Sequence, residues 1–124
     1  MRKQDKLRVP EYLQHIIEAI YLVETYVEDM DETGFLNDKK TQDAVIRNFE
    51  IIGEACNNVR KHNPEFIKRH EEIPWGVAYE MRNALAHGYF KVDLQVVWNT
   101  IHEDFPKLAE QVKAVLAREY PSCT

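Results

Sequence analysis

The sequence predicts an all-α protein, a bundle of four long helices with one short extra helical turn. Apolar residues recur at three- and four-residue intervals through most of the chain, which is the spacing of one face of an α-helix. No stretch shows the sustained alternation of apolar and polar residues that is typical of a half-buried strand. Only four glycines and five prolines occur among the 124 residues, which is too few for a chain rich in loops or disorder.

Composition limits the class of protein. A chain of 124 residues can bury one core, so we expect a single domain over residues 1–124. The net charge of −5 argues against a broad surface that coats nucleic acid, so any such contact has to be confined to a cleft. Cys56 and Cys123 fit no metal spacing and are expected to be reduced thiols of a cytosolic protein. The first residues lack the apolar core of a signal peptide, and no apolar run approaches a membrane span.

The first long helix is expected from Pro10 to about Met30, after a frayed segment over residues 1–9. An acidic turn from Asp29 to Gly34 follows, and its sequence lacks the full ligand pattern of a calcium loop. The apolar stripe of this helix comprises Leu13, Ile16, Ile17, Ile20, Val23 and Val27.

Asn37 or Asp38 can cap the second long helix, which should run to about His62 before Asn63-Pro64 stops it. Its apolar stripe comprises Val45, Phe49, Ile52, Cys56 and Val59.

Three further residues of this helix indicate what covers it. Ile46 and Ile51 widen the apolar surface beyond the stripe, as in helices that bury a second face against a partner. Gly53 fits either a close approach of another backbone or a glycine that is packed inside the monomer.

A short helical turn is expected from Pro64 to His70, and a further helix from Pro74 to His87. Asp93 can cap the last helix, in which Pro106 predicts a kink or a break into two helices. Residues 118–124 are expected to fray. The stripe of the last helix comprises Leu94, Val97, Trp98, Ile101, Phe105, Leu108, Val112 and Val115.

The stretch from Met81 to Phe90 carries the densest run of chemically capable side chains. Gly88 can close the helix there, which places His87 in the last turn, where the helix dipole favours an imidazolium. Arg82 lies five residues earlier, roughly 140° round the helix, so the two side chains do not share a face within one chain.

Arg82 and His87 together can cleave RNA without a metal. Histidine exchanges protons near neutral pH and can help the ribose 2′-hydroxyl attack the adjacent phosphate, while arginine stabilises the charge that develops on it. Two copies of the helix meeting across a two-fold axis would bring both residues of each copy into one shared cleft. On spacing alone, a surface ion pair for Arg82 and a helix-capping role for His87 are the preferred interpretation.

The succession of short motifs along the chain resembles the HepT-like ribonuclease toxins of the HEPN superfamily. The similarity extends over most of the chain, roughly from Tyr12 to Val115. The matching stretches are Asp43 to Ala55, Ile73-Pro74-Trp75, Met81 to Phe90, Val92-Asp93-Leu94, Val97-Trp98 and Asp104 to Leu108.

This resemblance implies a helical bundle of the HEPN type that forms a homodimer with an active cleft at its interface. The family signature of arginine, four residues, histidine, one residue and tyrosine falls on Arg82, His87 and Tyr89. The resemblance therefore implies that Arg82 and His87 are the catalytic pair of a metal-independent endoribonuclease, and that Asn83 supports the cleft. It further implies that the chain is a toxin whose antitoxin, a minimal nucleotidyltransferase, uses ATP and magnesium to attach AMP to Tyr89.

Other interpretations stay open. Tyr89 can also be a half-buried aromatic that packs on the last helix. The chain can be a noncatalytic module that holds nucleotide or substrate for a nucleotidyltransferase, or an inert interaction protein. Among other polar residues, Arg47, Asn48, Glu50 and Glu54 can orient Arg82, although a solvated helix face is preferred for each. The basic segment of Arg60, Lys61, His62, Lys68, Arg69 and His70 can steer RNA by its phosphates.

Overall fold

A computed structural model describes residues 8–76 and 93–121 of the chain. These residues form six helices and no strand, which confirms the all-α prediction and agrees with a helical bundle of the HEPN type. The helices are α1 (Val9–Val27), α2 (Glu32–Leu36), α3 (Lys39–His62), α4 (Pro64–Arg69), α5 (Leu94–Glu103) and α6 (Phe105–Glu119).

The core lies mainly between α1, α3 and α6. The two longest helices, α1 and α3, make the most extensive pairing, and α6 packs on α1 beside it. Leu13, Ile16 and Val23 of α1 and Val45 and Val59 of α3 are fully buried, as their apolar stripes predict.

The first helix ends earlier than predicted, at Val27. Acidic side chains are unfavourable at the negative end of a helix dipole, and Glu28 and Asp29 stand where the helix would have continued. The expected acidic turn is also wrong in part, because Glu32–Leu36 form a short helix. The Asp31 carboxylate caps this helix by accepting a hydrogen bond from the Gly34 amide at 2.8 Å. Phe35 is fully buried, and this burial draws the short helix onto the core.

Of the two candidate caps for α3, Asp38 is the residue that caps the helix. Its carboxylate accepts hydrogen bonds from the Thr41 amide at 3.1 Å and the Thr41 hydroxyl at 3.0 Å. These two bonds hold the pKa of Asp38 below its ordinary value. Asn37 instead ends α2, and its side-chain amide donates to the Thr33 carbonyl at 2.9 Å.

One face of the middle of α3 is covered within the single chain. Gly53 is buried there, which agrees with the interpretation of a glycine packed inside the monomer. Ile46 and Ile51 are half-buried and pack against the core. Cys56 is buried, and burial raises the pKa of its thiol to about 12 because the thiolate would lose its hydration.

The predicted break near Pro106 is confirmed. Helix α5 ends at Glu103, and α6 begins at Phe105 with Pro106 in its first turn, where a proline needs no amide partner. Asp93 caps α5 as expected, since its carboxylate accepts hydrogen bonds from the Gln95 amide at 3.0 Å and the Val96 amide at 3.2 Å. None of the helices in residues 8–76 and 93–121 is long and apolar enough to cross a membrane.

Candidate functional site

The four residues predicted to form the active site lie outside the described residues. Arg82, Asn83, His87 and Tyr89 all fall between residues 77 and 92, so their predicted roles stay predictions. The structure does describe both ends of this segment. Residues 70–76 lead into it, and Asp93 begins the helix that follows it.

The upstream end is held by Trp75. The residue is buried, and its indole N–H donates a hydrogen bond to the His70 carbonyl at 3.0 Å. Its ring also meets the ring of Phe66 at 6.1 Å in an edge-on arrangement. Trp75 and Gly76 have helical backbone, in agreement with a helix start at Pro74. The chain therefore enters the motif segment from a fixed point.

His70 supports the same end through its imidazole. The ring is buried, with its Nε2 atom 2.5 Å from Glu119 Oε2 and its Nδ1 atom 3.6 Å from Glu72 Oε2. The Glu119 contact is short but lacks the geometry of a hydrogen bond from His70 Nε2, and it is an ion pair only when the imidazole is protonated. The other Glu119 oxygen accepts a hydrogen bond from Arg69 at 3.0 Å.

Glu119 responds to these neighbours. Burial raises the pKa of its carboxyl, but the hydrogen bond from Arg69 and the charge of His70 outweigh that effect and lower the pKa overall. The carboxylate is therefore the favoured form, and it joins the end of α6 to the end of α4.

A second contact joins α6 to residues 70–76. The Gln111 side-chain amide donates a hydrogen bond to the Glu72 carbonyl at 3.0 Å. Beside this contact lies a cavity of about 260 Å³. Its lining combines apolar and polar side chains, and the lining residues are Phe49, Ile52, Glu72, Pro74, Thr100, Asp104, Phe105, Lys107, Leu108 and Gln111.

The downstream end is anchored more simply. Helix α5 starts at its Asp93 cap, and Trp98 in the next turn packs against Phe35 with ring centroids 5.4 Å apart. This contact joins α5 to the short helix α2.

The polar residues of α3 divide into exposed and buried groups. Arg47 and Glu50 approach to 3.8 Å with largely exposed side chains, and Glu54 is exposed, in agreement with a solvated face. For Asn48 the expectation of a solvated face is wrong. Asn48 stands next to Phe49 of the apolar stripe and is buried, and its side-chain amide donates to the Ala44 carbonyl at 2.9 Å.

The basic segment also divides. Lys61, His62 and Lys68 are exposed and can attract RNA phosphates. His70 is buried, and Arg69 is bound to Glu119, so these two residues serve the fold instead. The sequence could not reveal this, because Arg69 and Glu119 are 50 residues apart and nothing local marks them as partners.

The contacts described above hold residues 70–76 and the start of α5. In residues 8–76 and 93–121, no group of three or more His, Cys, Asp or Glu side chains is arranged to bind a metal ion.

Comparison with known proteins identifies the framework. The model of the family described as ribonuclease HepT-like matches residues 16–115. A protein of Thermococcus cleftensis named probable ribonuclease HepT is 48% identical over 98 residues, which cover 79% of this chain and 86% of that protein. A protein of Caldanaerobacter subterraneus subsp. tengcongensis named as a candidate RNase is 36% identical over 108 residues, with 87% of this chain and 94% of that protein covered.

A third relative is longer. A Methanocaldococcus jannaschii protein named as a gamma-glutamylcyclotransferase and candidate RNase is 43% identical over 116 residues, which are 94% of this chain but only 49% of that protein. The chain thus spans about half the length of this relative. No solved structure matches the chain. Because the family match runs through nearly all of the helical framework and across the segment with the predicted catalytic pair, the chain belongs to the ribonuclease HepT-like family.

Proposed function

We propose that this protein is a metal-independent endoribonuclease, the toxin of a toxin–antitoxin module. The observation that carries the proposal is the spacing of Arg82, His87 and Tyr89 within a chain of the ribonuclease HepT-like family. Two relatives with names that describe ribonucleases match this chain over most of their own length, and this supports RNA as the substrate.

The proposed reaction needs only the groups that this motif supplies. His87 assists removal of the proton from the ribose 2′-hydroxyl, whose oxygen attacks the adjacent phosphorus. The bond from phosphorus to the 5′-oxygen breaks, and this oxygen takes up a proton from water, which leaves a 2′,3′-cyclic phosphate and a 5′-hydroxyl. Arg82 stabilises the negative charge that accumulates on the phosphate oxygens, and Asn83 supports the cleft.

We place the cleft between two copies of the chain. Helical spacing points Arg82 and His87 apart within one copy, and a two-fold axis allows the pairs from both copies to converge. Ile46 and Ile51 are only half-buried in the single chain, and this leaves apolar surface on α3 for a partner copy. The dimer is tested by sedimentation of the purified protein, for which a monomer at all concentrations would contradict a shared cleft.

Regulation follows from Tyr89. A nucleotidyltransferase antitoxin with bound ATP and magnesium would transfer AMP to the tyrosine oxygen and release pyrophosphate. The added phosphodiester charge would compete with RNA phosphate for Arg82 and His87, and the adenosine would fill the cleft.

Substitution of the catalytic histidine tests the reaction. His87→Ala should lower RNA cleavage by about 10²–10⁴-fold, because a positioned general base contributes that much. His102→Ala is the matched control, since His102 is exposed on α5. Both variants should keep the circular dichroism and oligomeric state of the wild type. A folded His87→Ala protein that cleaves RNA at the wild-type rate would refute the catalytic assignment.

Mass measurement tests the regulation. Co-expression with a nucleotidyltransferase encoded beside this protein should add one or more AMP units to the Tyr89 peptide. Tyr89→Phe should stay unmodified and active. Tyr21→Phe is the control, because Tyr21 is 65% exposed and would be an accessible acceptor for unspecific transfer. Modification that persists on Tyr89→Phe would refute Tyr89 as the acceptor. An unmodified chain that binds its partner tightly would instead favour neutralisation by complex formation.

A further inference from the structure

We propose that His70 and Glu119 are positioning residues, whose contact fixes the segment that leads into the catalytic motif. The proposal rests on the proposed ribonuclease function and extends it to two residues outside the motif. It makes the end of the last helix, α6, part of what sets the rate of RNA cleavage.

The contact joins the end of α4 to the end of α6. The His70 side chain is only 5% exposed, whereas the side chain of Glu119 is 26% exposed and lies nearer the surface. Phe66 lies against the imidazole with ring centroids 4.6 Å apart, which limits the orientations that the ring can adopt. The charged groups facing His70 are Glu119 and Glu72, and Arg69 binds the second oxygen of Glu119.

His70 also contacts Trp75, so the restraint on its ring extends to the tryptophan. While its imidazole is held by Glu119, its carbonyl accepts the hydrogen bond from the Trp75 indole at 3.0 Å. Trp75 precedes Arg82 by seven residues in the sequence. One residue thus connects the last turn of α6 to the tryptophan from which the chain enters the motif.

Helix α6 supports this segment at two points. Besides Glu119, Gln111 holds the Glu72 carbonyl, in the middle of the stretch between His70 and Trp75. Ile73 between them is almost fully buried. The segment is therefore fixed by its side-chain and backbone contacts to α6, although it contains no long helix of its own.

Such an arrangement should affect rate more than stability. A buried or half-buried ion pair often adds little net stability, because the desolvation of the charges offsets their attraction. Displacement of catalytic groups by about 1 Å can nevertheless cost about 10²-fold in rate. We therefore expect removal of the Glu119 charge to loosen the segment and slow cleavage while the bundle stays folded.

The test compares Glu119→Gln with Glu110→Gln, which removes the same charge from an exposed position on the same helix. The first readout is hydrogen exchange of the peptide that covers residues 70–76, which does not depend on activity. In Glu119→Gln it should speed up about tenfold, with α1 and α3 unchanged. The second readout is cleavage kinetics, in which kcat should fall about tenfold and KM should change less than about twofold. Glu110→Gln should match the wild type in both.

Each outcome decides the proposal. Faster exchange together with a lower kcat supports it. Faster exchange with an unchanged kcat would show that the contact is structural only, and unchanged exchange would show that Glu119 does not hold the segment; either result would overturn the proposal. A wild-type protein without ribonuclease activity would overturn the proposed function separately, and faster exchange would then still support the hold on residues 70–76.

Discussion

The pairing of α1 with α3 and the segment from His70 to Trp75 are held by different kinds of interaction. The helix pair is held by apolar side chains that are fully buried along its whole length. The segment is held by a few contacts that each involve a particular atom, such as the Trp75 indole N–H on the His70 carbonyl. Helix packing is spread over many atoms, whereas the position of the segment depends on single groups.

This difference separates stability from positioning. Distributed apolar burial scales with area and tolerates modest changes of shape. A directed hydrogen bond fixes distance and angle, and it fails altogether when one partner is removed. The protein uses the first kind for its bundle and the second where the chain enters the predicted catalytic segment.

The largest effect on stability should come from the helix bundle. Phe49→Ala should lower the free energy of unfolding by about 3–5 kcal/mol, because it removes a buried ring and enlarges a cavity. Phe49 packs against Phe105 with ring centroids 4.9 Å apart, so the substitution also removes a contact between α3 and α6. Val96→Ala is the control, since Val96 is 46% exposed. Denaturant titration of both variants checks this, and a loss below about 1 kcal/mol for Phe49→Ala would contradict a well-packed core.

A smaller effect should follow in the segment. Trp75→Phe keeps a ring beside Phe66 but removes the indole donor from the His70 carbonyl. It should cost about 0.5–1.5 kcal/mol, since the Ile73 amide still donates to that carbonyl at 3.1 Å. Trp98→Phe is the matched control, because that ring can keep its contact with Phe35. The two regions should also differ in their effect on activity. At a temperature where both variants are folded, Trp75→Phe should reduce the rate of RNA cleavage more than Phe49→Ala does. Equal stability of the two tryptophan variants would argue against the hydrogen bond.

The smallest effect should come from a directed contact near the surface, the part-buried cap of α3. Asp38→Asn keeps a capping oxygen at the start of α3 but removes its charge. Since folding lowers the pKa of Asp38, its charge stabilises the protein above the unfolded pKa, and this contribution is lost as the pH falls through the folded value. The wild type should therefore have a higher Tm than Asp38→Asn at pH 7, and the difference should shrink and vanish as the pH falls from the ordinary aspartate value of 3.8 through the lowered folded pKa. A Tm difference that is constant over this range would contradict the lowered pKa.

Much of the fold could be predicted from the sequence because it depends on local patterns. The stripe of α3, the Asp38 and Asp93 caps and the break near Pro106 all follow from spacing or from single-residue chemistry. The short helix α2 was missed. Its acidic residues are typical of a turn, whereas burial of Phe35 against Trp98, a distant residue, favours a helix.

The candidate site was less predictable in its supporting contacts. The motif around Arg82 and His87 is local, so the sequence alone singles it out, and its role stays a prediction, whereas the family is confirmed. The role of His70 depends on Glu119, which is far away in the sequence, and one more histidine in a basic segment gives no sign of such a partner. Burial of Asn48 was missed for a similar reason, since its position beside the stripe can be either solvated or covered.

The thiol of Cys56 makes the core of this protein observable. With a pKa of about 12 and no access to solvent, it should resist alkylation and mild oxidants as long as α3 stays packed. In a Cys123→Ser background, its labelling rate would report how often the bundle opens as a whole. Cys56 is therefore a built-in probe of global unfolding, and it lies on α3, one of the two helices that make the most extensive pairing of the core.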